Sequence, residues 1–211
     1  MAIDGYMFFK DYNDAFLVSE SQVKLVDNAE CKDLMDPFKE AYGSTKGINR
    51  SVDKNKNGTL FEIEDYSFDI EQTLNIGSQS SGSGAGRVAF NPFSITRKID
   101  CASPVFFQLS CSGTPFQKVC LGLRKSGGGQ TSGRMFVVFS FSLVAVKTIS
   151  WAHDDESPKE TVTFEYGAFN IMYSQQGPDG KPEGAIPGGW NRVRNVSADQ
   201  VTGENFLIKK F

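Results

Sequence analysis

Residues 53–64 read DKNKNGTLFEIE and fit the calcium-loop pattern D-x-[DN]-x-[DN]-G-x5-E at every named position. Asp53, Asn55, Asn57 and Glu64 would supply oxygen ligands, and Gly58 the sharp turn that lets them converge on one hard cation. An EF-hand also needs a helix on each side of the loop. Downstream, the period becomes two from Thr59, so Glu64 falls in a strand. Upstream, the nearest helical spacing ends near Gly43. The stretch is a connecting turn built on Asn57-Gly58, or a calcium loop without its helices.

Other chemistry is sparse. The single histidine, His153, lies in the polar segment AHDDESPKE with no nucleophile paired to it by motif, so no catalytic residue is expected. Asp154, Asp155 and Glu156 read as an exposed acidic turn. Cysteines at 31, 101, 111 and 120 contain no C-x-x-C pair, which argues against zinc and for reduced, partly buried thiols. The stretch NIGSQSSGSGAGR places Gly82, Gly84 and Gly86 as a dinucleotide loop would, but RVAFNPFSITRKI after it alternates as a strand instead of opening a helix. A surface loop with no cofactor is the reading. Tyr173 and Trp190 serve either core and subunit packing or, in a carbohydrate-binding β-sandwich module, sugar stacking.

The elements that carry these residues are mostly strands. The 211 residues suit one generous domain, and eighteen Phe with twenty-one Gly lean toward an all-β class. A net charge of −3 leaves no footprint for nucleic acid, and no apolar run is long enough for a membrane helix. The opening MAIDGYMFFKDYND lacks the basic and long apolar regions of a signal peptide. Strands are expected at 2–10, 16–26, 59–70, 87–99, 116–125, 133–151, 160–174 and 189–195. In the strand at 133–151, Met135, Val137, Phe139, Phe141, Leu143 and Ala145 should line one face. Helical spacing runs through Cys31, Leu34, Met35, Phe38 and Tyr42, with Asp27 and Glu30 as a capping box; Pro37 either interrupts this helix or starts a second one. Over 103–112, Ser103 caps a helix, Pro104 suits its first position and Gly113 its left-handed stop. The final residues VSADQVTGENFLIKKF form a frayed tail or a docking strand.

Two pieces, KIDCASPVFFQLSCSG and FEYGAFNIMYSQQGPDGKPEGAIPGGWNRVRN, together with the order of elements resemble the haemolysin-coregulated protein (Hcp) family of type VI secretion systems. The residues that carry the resemblance are Ile99-Asp100, Ser103-Pro104, Ser112-Gly113, Arg124-Lys125, Tyr173 and Gly189-Trp190-Asn191, with Met1-Ala2-Ile3-Asp4 at the start. The resemblance covers 59–195 and 1–10; residues 11–58 stand out as an insertion and 196–211 as an extension of a single domain 1–211. It implies a small antiparallel β-barrel with one flanking helix. Six copies would form a ring, and rings would stack into a tube, assembled in the cytoplasm and secreted without a signal peptide. Sheath, spike and baseplate proteins would surround it, and effectors would ride in the lumen. A tail-tube subunit of a phage-like contractile particle is the related alternative. Ser78, Ser80, Ser81, Gly82, Gly84 and Gly86 would form a ring-stacking loop.

Overall fold

In the computed structural model, the described residues are 3–21, 23, 32–49, 58–72, 88–125, 135–153, 157–175, 183–200 and 203–209. In chain order they form β1 (Ile3–Lys10), α1 (Lys32–Gly43), β2 (Phe61–Ile63), β3 (Asp65–Ser67), β4 (Ile70–Gln72), β5 (Val88–Phe90) and β6 (Phe93–Lys98). There follow α2 (Ser103–Ser112), β7 (Phe116–Lys125), β8 (Met135–His153), β9 (Pro158–Tyr173), β10 (Ile186–Asn191) and β11 (Val196–Ser197). The class is mainly β, and every pairing between these strands is antiparallel.

One path of hydrogen-bonded neighbours runs β11-β10-β9-β8-β7-β1-β2, while β6 joins β9 to β3. The expected barrel is thus a wrapped sheet and not an uninterrupted cylinder. Its seam is bridged by two three-residue strands, β2 on β1 and β3 on β6, with Glu64 alone between them. The Glu64 amide reaches the Thr96 carbonyl at 2.9 Å, which hands the chain from one neighbour to the other.

The sheet buries both faces. Inside, Phe9, Phe61, Phe93, Phe106, Phe116, Phe141 and Phe164 form the larger core. Outside, Phe8, Cys120, Val138, Ala168 and Met172 meet Leu34, Met35, Phe38 and Ala41 of α1, and Phe206 and Ile208 of the tail. Strands buried on both faces cannot show clean alternation of apolar and polar residues, which accounts for the mixed patterns of β7 and β9.

Several expectations need correction. Of the expected strand at 16–26, the described residues 16–21 and 23 form none: Phe16 and Ser19 make isolated bridges only. Phe16 packs in the outer core and Leu17 in the inner one. Residues 59–70 are broken at Glu64 and again at Phe68-Asp69. Phe61 and Ile63 face inward before the first break, Tyr66 and Phe68 after it. This one-residue switch of face is why neither parity looked apolar. Residues 88–98 break at Asn91-Pro92, where proline has no amide for the ladder.

In β8, Val137, Phe139 and Phe141 face inward as expected, but Met135 and Leu143 belong to the outer core. Leu143 sits at φ 51°, which reverses the alternation and turns Val144 inward. The first helix is single and passes through Pro37, because burial of Leu34, Met35, Phe38 and Ala41 outweighs one lost hydrogen bond. The second helix starts after Ala102, not Ser103, whose side chain is bonded elsewhere; its stop at Gly113 is left-handed as expected, at φ 66°. The tail docks as β11 and as buried Phe206 and Ile208.

Candidate functional site: a buried arginine centre and a projecting arm

Residues flagged for chemistry are not brought together. His153 is exposed at the end of β8. Asp154, Asp155 and Glu156 lie outside the described residues, as do Asp53, Asn55, Asn57 and the loop residues Ser78, Ser80, Ser81, Gly82, Gly84 and Gly86. Glu64, the last residue of the calcium pattern, pairs with Lys159 at 3.1 Å. Among the described residues, no group of three or more His, Cys, Asp or Glu could hold a metal ion. Cys111 and Cys120 are free thiols, and the Cys101 sulfur donates to the Val18 carbonyl at 3.4 Å. Burial pushes the Cys120 thiol up, against the smaller opposing effects of Lys118 and the Ser140 hydroxyl, so it rests protonated. Tyr173 and Trp190 make no stacking pair: Tyr173 is opposite Ile186 and Trp190 opposite Phe169, four positions further along, or about 14 Å.

A centre that sequence reasoning missed lies where β6, β8, β9 and α2 meet. Arg97 and Glu160 are buried, directly opposite each other on β6 and β9. Arg97 Nε donates to Glu160 Oε1 at 2.7 Å, and Nη2 donates to Asp100 Oδ1 at 2.5 Å and to Ser103 Oγ at 3.2 Å. The Ser103 hydroxyl donates to Glu160 Oε1 at 2.9 Å, and the Trp151 indole donates to Glu160 Oε2 at 3.2 Å. The guanidinium also lies over the rings of Phe61 and Phe106, at 4.9 and 5.4 Å. Burying a charge is tolerable only when it is paired and hydrogen-bonded, and here both charges are. Asp100 and Ser103, two residues that carried the family resemblance, act as the supports of Arg97. The available signal was a lone arginine inside an alternating strand, SITRK, three residues before Asp100.

A groove of about 670 Å³ opens beside this centre, between β1, β2 and residues 97–100. Of its carboxylates, Glu62 accepts from Ser21 Oγ at 2.9 Å, Glu64 pairs with Lys159 and Asp100 holds Arg97.

The second feature is a two-stranded arm, β4–β5, that leaves the sheet where β3 and β6 end. Asp69 and Asn91 clasp its base: the Asn91 amide donates to the Asp69 carbonyl at 3.2 Å and Asn91 Nδ2 to Asp69 Oδ2 at 2.6 Å. Phe68 anchors it in the inner core against Phe139, Phe141 and Phe169, with ring centroids 5.3 to 5.8 Å apart. Ile70 and Val88 remain exposed on the arm. In the sequence, the Gly/Ser stretch joins these two strands.

Residues 42–173, from the end of α1 through β9, match the family model described as "Type VI secretion system effector, Hcp". The chain belongs to the Hcp family. Solved structures agree with this in fold. One, described as a type six secretion system protein, has a TM-score of 0.66 at 19% identity, covering 93% of this chain and 100% of that one. Hcp1 from Salmonella typhimurium has a TM-score of 0.57 at 18% identity, covering 94% and 100%. Hcp1 from the E. coli EAEC 042 pathovar has a TM-score of 0.61 at 16% identity, covering 90% and 99%. No curated protein matches the chain. The Hcp match includes Arg97, Asp100, Ser103 and Glu160; β1, β10, Arg192 and the docked tail lie outside it.

Proposed function

We propose that this Hcp chain is a structural subunit of the type VI secretion inner tube. It forms six-membered rings that stack, and the stack is expelled by a contractile sheath to deliver effectors. The observation that carries the reading is the Hcp match over 42–173, which contains all of β2 to β9. The chemistry supports it from another direction. The buried centre is a closed set of ion pairs and hydrogen bonds, suited to stiffening a scaffold and offering no free acid, base or nucleophile. Tube function needs none.

The partners under this reading are other copies of the chain, then sheath, spike and baseplate proteins outside and effectors within the lumen. Among the described residues no helix is long and apolar enough to cross a membrane. The arm presents the Gly/Ser loop, including Ser78, Ser80, Ser81, Gly82, Gly84 and Gly86, to the next ring. Residues 11–58 and 196–211 elaborate one domain spanning 1–211; α1 and the tail cover the outer face of the sheet, while Leu17 and Ile48 reach the inner core.

The test is the particle size of the purified protein, by light scattering after size-exclusion chromatography and by electron microscopy. A six-copy ring is expected, with stacks at high concentration. A stable monomer overturns the reading.

A further inference from the structure

The outer edge of β9 is shared by two strands. β6 pairs with it as far as Phe93 opposite Phe164, and β10 takes over from Asn191 opposite Ala168. Residues 165–167, between the two, are served by Arg192. Its amide donates to the Gly167 carbonyl at 2.9 Å, and its Nη1 donates to the Tyr166 carbonyl at 2.7 Å, with Glu165 Oε2 at 3.5 Å. Its guanidinium lies over the Tyr166 ring on the body, at 5.0 Å, and over the Phe90 ring on the arm, at 5.4 Å. The edge that β5 would need in order to continue alongside β9 is therefore occupied. The residue occupying it also grips the ring at the end of β5.

We propose that Arg192 is the positioning residue of the β4–β5 arm: it forks the sheet, forces the arm away from β9, and fixes the direction in which the arm leaves. The described part of the arm, three paired residues of each strand, is largely exposed, so its direction depends on what ties it to the body. It is held by Phe68 in the core, by the Asp69–Asn91 clasp and by Phe90 on Arg192. The first two lie on the arm's own two strand connections, with Phe68 meeting Phe169 of β9 from the β3–β4 side; Arg192 is what holds the β5 end of the arm to the β9–β10 side. Lysine cannot replace it, because an ammonium lacks the flat face that stacks on two rings at once. The functional consequence rests on the reading of the arm as the carrier of the ring-stacking loop. An arm with a wandering direction presents its loop to the next ring in few of its orientations, and stacking pays that ordering entropy.

Hydrogen exchange and electron microscopy of the full chain test this together. Arg192→Ala should leave exchange in β7, β8 and the inner part of β9 unchanged and raise it about tenfold in 70–72 and 88–90, a local opening and not a global one. Arg192→Lys should behave like Arg192→Ala in the arm, which separates stacking from charge. Rings should persist in both variants while stacks shorten. Arm protection equal to wild type in Arg192→Ala overturns the proposal, as does a uniform rise in exchange throughout the sheet. Wild-type rings that never stack overturn the stacking role of the arm, whereas the exchange experiment still decides whether Arg192 holds it.

Discussion

Leu143 and Gly167 face each other between the paired residues Ser142–Ala168 and Val144–Tyr166, and the leucine stands in the left-handed region at φ 51°. The tail residue Ile208 closes the space above the glycine: a Cβ there would lie 2.6 Å from Ile208 Cδ1 and 3.2 Å from Leu143 Cβ. The bend in the long ribbon and the docking of the tail are thus one feature. Ile208 is also bonded at both ends of its peptide unit, its amide donating to Ser142 Oγ at 3.1 Å and its carbonyl accepting from Tyr12 Oη at 3.1 Å.

Gly167→Ala should therefore act on the tail. The new methyl has no room unless Ile208 withdraws, a form of overpacking that costs about 1–3 kcal/mol. Chemical denaturation should show a loss of that size. Limited proteolysis should cut within the last ten residues of the variant and spare the wild type. A stable variant with a protected tail would show that the leucine side chain gives way instead.

The Arg97–Glu160 pair gives a sharper result. Removing Arg97 leaves Glu160 buried without a counter-charge, which costs about 3–5 kcal/mol. Arg97→Met should lose an amount of that order in urea denaturation, and Glu160→Leu less, because Asp100 still pairs with Arg97. The double variant should regain much of it, because two apolar side chains then share the site. Trp151 fluorescence offers a second readout, since only changes at Glu160 remove the acceptor of its indole N–H. Additive losses in the double variant would sink this account.

Local chemistry was legible in the sequence where a residue's role depends on its neighbours in the chain. The Pro104 entry and Gly113 exit of the second helix are such cases, whereas the single strand expected over 87–99 misses the break that Asn91-Pro92 makes in it. What depends on distant partners was not legible. The second helix begins one residue earlier than a Ser103 cap would give, because the Ser103 side chain is drawn to Arg97 and to Glu160, the latter 57 residues on. Arg97 and Glu160 are 63 residues apart, so the alternating strand that holds Arg97 does not name its partner. Period-two reasoning failed at Glu64 and Leu143 for one shared reason: a single residue with an irregular backbone moves every later side chain to the other face. The Tyr173–Trp190 pair looked plausible by composition, but strand register holds the two rings apart.

Tyr166 supplies a pH prediction. Its hydroxyl is buried without a hydrogen-bond partner, and burial pushes its pKa from 10.0 up to about 12, with Arg192 opposing this and Glu165 and Asp69 adding to it. A folded-state pKa above the unfolded one means that the folded chain holds its proton where the unfolded chain has lost it. The associated stability is present below pH 10 and is lost as the pH rises toward about 12. Tyr166→Phe removes an unpaired polar atom, so it should be neutral or stabilising at pH 7 and should flatten the alkaline decline. Melting temperatures from pH 7 to above pH 10 check both halves. A phenylalanine variant as alkali-sensitive as wild type would place the titrating group elsewhere.

Deleting 78–86 tests the arm from its far end. The described sheet and the Arg97 centre are built from residues on either side of 73–87, so the loss should leave them intact. The thermal midpoint should change little, because shortening a loop alters closure entropy only slowly with length. The same rings should form, with fewer and shorter stacks in electron micrographs. The contrast with Arg192→Ala is informative: the deletion removes the loop and leaves its mount in place, whereas the substitution keeps the loop and loosens the mount. If stacking depends on the loop being presented in one direction, both variants fail at the same step. Stacks of normal length after the deletion would mean that rings meet through other surfaces, among which the exposed side chains of Ile3, Tyr173 and Ile186 are the first to examine.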